Sequence, residues 1–227
     1  MWKWKELLSS MKKRDNFEQK AFEEALTMLK ASHGMHRDAV AALHRPGVLV
    51  ADIYERDREI NRYEQEVRRK ILTHLTESPR ADINLGLVIT AIVIDIERIG
   101  DLTKNIVELA TGSPKPFDGG ELDEEVSELE ETLDRMFVDV VPALEKADED
   151  LAREVLQNHK RLANRVELSL QLLRNNQALS GQAGLAVTAA LYLRYMKRVS
   201  AHLKNVATSV VNPFYRIGFR EKKKKKI

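Results

Sequence analysis

No cysteine occurs among the 227 residues, which removes disulfides, thiolate nucleophiles and zinc-thiolate centres together. Any metal must then be held by oxygen or imidazole, and a reducing compartment is the natural setting. Glycine and proline are scarce, at 10 and 6 residues, so a fibrous or low-complexity chain is excluded. Aromatics make up only 6%, and both tryptophans, Trp2 and Trp4, sit at the very start. Long hydrophobic runs are missing as well. The stretches Leu85–Ile94, broken by Thr90, and Leu185–Leu193, broken by Thr188, fall short of the roughly 20 residues a membrane span needs. The opening Met-Trp-Lys-Trp-Lys-Glu has no apolar stretch or small-residue cleavage site, so a secretory signal is not expected and a cytoplasmic location is. No G-x-x-x-x-G-K-[ST] loop, G-x-S-x-G elbow or H-E-x-x-H helix is present, so nucleotide hydrolysis, acyl transfer and zinc proteolysis lack their usual parts.

What is there is charge, 32% of the chain, unevenly spread. Residues 1–14 carry five basic side chains against one acid and residues 212–227 seven against one, while 15–211 hold 25 basic against 33 acidic, a net charge of about −8. An acidic body with basic ends argues against a reader of nucleic acid, which concentrates positive charge on a folded face. Both ends place aromatics beside cations: Trp2 and Trp4 near Lys3 and Lys5, and Phe214, Tyr215 and Phe219 near Arg216, Arg220 and Lys222–Lys226. Such segments suit peripheral contact with an anionic membrane at its inner face, and they equally suit solvated tails.

Helical periodicity runs through the body and no stretch of apolar and polar alternation competes with it. Six helices are expected: Asp15–His44, capped by Asp15 with Glu18 three positions on and stopped by Arg45-Pro46-Gly47; Leu49–Glu77; Ala81–Ala110; Glu121–Lys146, bent or ended by Pro142; Asp148–Asn176; and Gln182–Val211. The run Thr111–Gly120, rich in Gly and Pro, is the clearest linker and lies at the midpoint. The halves repeat with a period of about 100: Ile96–Ile106 aligns with Met196–Val206, with Arg98/Arg198, Lys104/Lys204 and Asn105/Asn205 identical. The expected organisation is a basic aromatic N-terminal segment 1–14, a three-helix repeat 15–111, a linker 112–120, a second three-helix repeat 121–211 and a basic tail 212–227, an all-α tandem pair of antiparallel three-helix bundles joined into one elongated six-helix bundle.

On the third helix, Glu97, Asp101 and Asn105 stand at i, i+4 and i+8, fanning over about 80° with steps of about 6 Å. The core stripe Ile89, Ile92, Ile96, Ile99 and Ile106 faces away from them, so the oxygens line an outer face. Arg98 and Lys104 are poorly placed to neutralise both acids. Hard or borderline cations take carboxylate oxygen, and Asp57, Asn61 and Glu64, beside the apolar stripe of the second helix, could add donors. A charged outer stripe is also what any soluble bundle shows. His33 and His36, at i, i+3, read as interhelical or surface residues rather than ligands, and Met28, Met35, Met136 and Met196 as core filler.

Glu97-Arg-Ile-Gly-Asp101 followed by Asn105-Ile106, recurring in weaker form as Lys197-Arg-Val-Ser-Ala201 with Asn205-Val206, resembles the PhoU family of phosphate-signalling proteins, over about residues 15–211. The resemblance implies tandem three-helix bundles whose repeated acidic motif can carry metal ions on the bundle surface. It makes Glu97, Asp101, Asn105 and the helix 2 acid Asp57 the expected ligands of a divalent or trivalent ion (iron, zinc, magnesium or manganese), as one site or cluster. The second half departs from this pattern. Lys197 and Ala201 replace the two acids, and the counterpart of Asp57 is Asn158 or His159 according to register, so one metal site, in the first half, is expected. The implied function is non-enzymatic regulation of phosphate uptake and of the phosphate-starvation regulon by contact with a membrane phosphate transporter subunit and a sensor kinase, with homodimerisation left open. Two other readings stand beside it: a metal-dependent phosphoesterase using the same carboxylates, and a helical scaffold regulating a cation-coupled phosphate carrier. Phosphate affinity without metal is not expected, since no glycine-rich nest or Arg cluster is evident in the sequence.

Overall fold

The computed structural model describes residues 4–11, 16–45, 52–79, 81–112, 115–175 and 177–221, the side chains of Ser10, Met11 and Asn16 excepted. Among them are seven α-helices and no strand: α1 (Trp4–Met11), α2 (Asn16–His44), α3 (Ile53–Glu77), α4 (Ile83–Gly112), α5 (Asp123–Lys146), α6 (Glu149–Arg174) and α7 (Ala183–Val211). The fold is all-helical, and six of the seven lie where periodicity puts them. Short 3₁₀ turns at Gly120–Leu122 and Phe214–Arg216 complete the described elements. None of the helices is long and apolar enough to cross a membrane.

The arrangement follows from which helices are apolar all round. α4 buries Leu85, Ile89, Ile92, Val93, Ile96, Ile99, Leu102 and Ile106, and α7 buries Leu193, Met196, Val199, Leu203, Val206 and Val210. A helix with apolar side chains over most of its surface must be covered from several directions. Accordingly α4 packs on α2, α3 and α7, and α7 packs on α5, α6 and α4, so the α4–α7 seam joins the two three-helix units into one continuous core. The amphipathic helices α3 and α6 each turn one stripe inward, Ile53, Ile60, Val67 and Ile71 on α3, Val155, Leu162 and Val166 on α6.

Local signals account for most boundaries. Asp148 caps α6, its carboxylate accepting from the backbone N–H groups of Asp150 and Leu151, both at 3.0 Å. Pro142 does not end α5, which continues to Lys146. The expected capping partner Glu18 does other work: it is buried, lies 3.2 Å from His74 Nε2 and accepts from the backbone N–H of Asp82 at 2.8 Å, tying α2 to the α3–α4 corner. Its cap Asp15, the stop Pro46-Gly47 and the chain before Asp52 lie outside the described residues. The linker is not a bare connector either, since Phe117 is buried, donates its N–H to the Leu43 carbonyl at 2.8 Å and packs edge-on to His44 and Tyr192.

The N-terminal segment needs a correction. Trp4, read from the sequence as part of either a membrane-contacting segment or a solvated tail, is only 2% exposed: it opens α1, its indole N–H donates to the Leu144 carbonyl at 3.1 Å, and its ring meets Phe22 edge-on at 5.8 Å. An indole that fills a core and caps the last turn of α5 is a tertiary clamp and cannot also rest in lipid. Trp2, Lys3 and the Lys222–Lys226 run lie outside the described residues. The described part of the C-terminal segment folds back on α6 and α7. Asn212 Nδ2 donates to the carbonyls of Arg216 and Phe219 at 3.1 and 2.8 Å, and Arg153 of α6 grips Glu221 through two hydrogen bonds of 3.0 Å.

Candidate functional site

The structure brings Asp57 of α3 against the acidic ladder of α4. Asp57 is buried, and it sits beside Gly100, where an added Cβ would lie 3.9 Å from its Oδ1. Between Asp57 and Asp101 stands a cation that the chain itself supplies. Lys104 Nζ donates to Asp57 Oδ2 at 2.8 Å and to Asp101 Oδ1 at 3.2 Å. Arg98 caps the ladder from outside, 3.1 Å from Asp101 Oδ2 and 3.4 Å from Glu97 Oε2. The expectation that these two cations are poorly placed is thus corrected. At i+3 from Asp101, Lys104 swings back over the preceding turn to the α3 surface, a direction that helical spacing alone does not reveal.

Two features keep the site unsettled electrostatically. Asp57 Oδ1 is buried with no hydrogen-bond partner among the described residues, an uncommon and costly state for a carboxylate oxygen. Glu97 is raised above the ordinary carboxylate range, first by burial and then by the charge of Asp101, with Glu64 and Asp57 adding to it and Arg98 opposing. Lys104 is raised above its ordinary value: burial works against its charge, but the hydrogen bonds and charges of Asp57 and Asp101 outweigh that. Four carboxylates therefore influence one small face, with Glu64 itself held 2.9 Å from Arg68. Asn105, one turn past Asp101, is half-buried and makes no hydrogen bond to these acids. As they stand, no three His, Asp or Glu side chains among the described residues close on a common point for an ion.

Whether the residues fit a metal depends on Lys104. The donor chemistry is right for a hard cation, and the orphaned Asp57 oxygen is a free ligand atom. The place between Asp57 and Asp101, however, is filled by an ammonium. The residues fit an ion on condition that Lys104 moves aside, which a flexible four-carbon stem allows.

The second half settles the register left open by the sequence. His159 Nδ1 lies 3.0 Å from Ser200 Oγ, as Asp57 lies against Gly100, so His159 and not Asn158 is the counterpart of Asp57. Lys197 pairs with Glu167 of α6, and Lys204, deprived of a carboxylate on α6, donates to the Gly218 carbonyl at 2.7 Å. The face that is acidic in the first half is cationic here. Asn205 is turned to the seam, where its amide and His202 Nδ1 meet Asp95 Oδ1 of α4 at 2.9 and 2.7 Å.

The histidines of α2 are interhelical. His36 is buried, its imidazole pushed down to about 4 by burial, then by His33, with Asp134 opposing. His33 stacks on Phe137 at 4.8 Å and contacts Asp134 at 2.6 Å.

An all-helical chain built as two three-helix units, each presenting a short charged motif on its third helix, defines a class of tandem-bundle proteins, and comparison with known proteins assigns it. The PhoU domain model matches twice, at residues 25–110 and 124–210, one copy per unit, and the chain belongs to the PhoU family. It is 26% identical over 178 residues to the Phosphate-specific transport system accessory protein PhoU homolog of Pseudomonas putida, spanning 77% of this chain and 70% of that protein. The same-named homologue of Pseudomonas aeruginosa is likewise 26% identical over 178 residues, covering 77% of this chain and 74% of its own length. The crystal structure of PhoU from Pseudomonas aeruginosa superposes with a TM-score of 0.72 at 26% identity, over 87% of this chain and 97% of that one. The fold is shared with PhoU from Streptococcus pneumoniae, TM-score 0.72 at 13% identity, over 86% and 93%.

Proposed function

We propose that this chain is a non-enzymatic regulator of phosphate uptake and phosphate-starvation signalling, acting by contact with a membrane phosphate transporter subunit and a sensor kinase. The observation that carries the reading is the pair of PhoU domains filling both units, together with relatives named as accessory proteins of phosphate-specific transport. The physical form suits the role, because long helices expose continuous faces for docking. We further propose that the first repeat holds a divalent or trivalent cation on Glu97, Asp101 and Asp57, with Asn105 at the edge. When bound, the ion would neutralise the acidic face and compete with Lys104 for Asp57 and Asp101. Deleting the gene in its host and measuring phosphate uptake and a phosphate-starvation reporter at high phosphate tests the reading. Deregulated uptake or reporter expression, reversed by the chain supplied in trans, is the expected result. Unchanged uptake and reporter would refute it.

A further inference from the structure

The second repeat carries a cavity beside His159 and Lys204. Between α6, α7 and the C-terminal segment lies a space of about 530 Å³ whose lining includes Lys160, Lys204, Arg220 and His159. One wall is the returning segment 216–221, which is anchored rather than loosely laid down. The Gly218 N–H donates to Thr208 Oγ1 at 2.7 Å, its carbonyl accepts from Lys204, and Glu221 is gripped by Arg153. Gly218 itself has φ of +85°, a backbone turn that side chains other than glycine rarely adopt.

The cations around this space are not answered by acids. Lys160 and Arg220 have no carboxylate partner among the described residues, Glu221 is committed to Arg153, and Glu167 to Lys197 and Arg194. Lys204 is half-buried with a neutral carbonyl as its hydrogen-bond acceptor, and burial lowers its ammonium below the ordinary value, with Asp95 opposing. His159 is pushed down to about 4, first by burial and then by the charges of Lys204 and Lys197. The apolar part of the lining is Leu156, Ala163 and Phe219, which is 63% exposed, and the amides of Gln157 and Asn164 also line the space.

We propose that this cavity binds an organic phosphate, its phosphate or diphosphate group set among Lys160, Lys204 and Arg220 and its apolar or aromatic body against Leu156, Ala163 and Phe219. Lys160, Lys204 and Arg220 line one recess that has no carboxylate in its lining, and a multiply charged anion supplies the countercharge that a neutral ligand would not. A volume of about 530 Å³ is far larger than an inorganic phosphate needs and lies in the ordinary range of small-molecule sites. The site is independent of any metal in the first repeat.

Titration of ADP into the full chain in excess EDTA, followed by amide chemical shifts and calorimetry, is the test. We expect saturable binding that shifts Gly218 and residues 157–164. The double variant Lys160→Ala/Arg220→Ala should bind at least tenfold more weakly, with unchanged helical circular dichroism because both side chains are exposed. Pyrophosphate should bind more weakly than ADP, and Phe219→Ala should narrow that gap. Absence of saturation into the millimolar range, or a double variant that binds ADP as tightly as the parent, would overturn the site. Equal affinity for pyrophosphate and ADP would overturn the organic half of the assignment.

Discussion

Replacing Lys104 by Met tests the electrostatic account of the first repeat directly. The change keeps the length and apolar stem of the side chain and removes the ammonium that holds Asp57 and Asp101. Asp57 is 6% exposed and would be left with neither oxygen paired, since Oδ1 already has no partner. Removing one partner of a fully buried ion pair costs about 3–5 kcal/mol. Lys104 and Asp101 retain 21% and 32% of their side-chain exposure, so water takes over part of the solvation and we expect about 2 kcal/mol. For a chain of this size that is a fall of roughly 4–8 °C in Tm. The compensating test is metal. An ion binding only the folded state at 100 times its Kd restores about 2.7 kcal/mol. Thermal unfolding in EDTA and then with Mn²⁺ should therefore show Lys104→Met melting below the parent without metal and gaining more than the parent when metal is added, because no ammonium has to be displaced. A variant as stable as the parent in EDTA, or one whose Tm rises by the same amount with Mn²⁺, would refute the competition between Lys104 and a cation.

Four further outcomes follow from particular contacts. Glu97→Ala/Asp101→Ala should abolish metal uptake measured by elemental analysis while circular dichroism stays unchanged, and undiminished metal would remove these ligands from consideration. Trp4→Ala should cost about 3–5 kcal/mol in denaturant unfolding, since it empties a core site and leaves the Leu144 carbonyl without its indole donor; a surface-tail tryptophan would cost nothing. His36 takes up a proton in the unfolded chain near 6.5 but in the folded chain only near about 4, so stability should fall as pH drops through that window, by about 1 kcal/mol from pH 7.5 to 5.5, and His36→Leu should flatten that slope in urea unfolding at the two pH values. Flotation with anionic vesicles, if the C-terminal lysines drive it, should weaken steeply with salt and be indifferent to substitution of Trp4, and strong binding to neutral vesicles would contradict an electrostatic tail.

How far the sequence reached depends on what each inference rested on. Helices α2 to α7 were legible because their stripes repeat every three to four residues and their ends carry Asp148, Ser78-Pro79 and Asn212-Pro213. The first helix was not, because composition cannot distinguish a Trp at a headgroup from a Trp in a core. Its role depends on Leu144 and Phe22, which are far away in the chain. Glu97 and Asp101 were legible as a pair by i, i+4 spacing, and Asp57 by its place beside the apolar stripe of its helix and by family resemblance; the structure adds that Lys104 bridges Asp57 and Asp101. Lys104 was missed as the central cation because the contact that matters, to Asp57, spans 47 positions. The same limit applies to the anion reading. Helical spacing exposes the acidic face of one helix, whereas the basic lining is completed by a chain reversal at Gly218 that puts Arg220 and Lys160 on the same recess.

The two repeats show why one face could change sign while the fold did not. Ile96, Ile99 and Ile106 in α4 and Met196, Val199 and Val206 in α7 are all fully buried, so packing constrains these positions on both helices. Positions 97 and 101, and 197 and 201, lie off that stripe, and a substitution there alters electrostatics at little packing cost. The local balance of charge differs accordingly between the two halves. With acids at 57, 97 and 101, Lys104 is drawn into the site as an internal counterion. With His159, Lys197 and Ala201 in their place, the equivalent Lys204 has lost its carboxylates, and the chain answers with a backbone carbonyl from the returning C-terminal segment. An identical lysine thus serves as a clasp across an acidic face in one repeat and as a half-buried cation on the wall of a cavity in the other. The seam keeps the two apart in charge but joined in structure, since Asp95, two residues before Glu97, holds His202 and Asn205 on either side of Lys204. A sequence repeat therefore does not carry an electrostatic repeat here: the shared apolar stripe specifies the bundle, and the off-stripe charges give each half its own electrostatics.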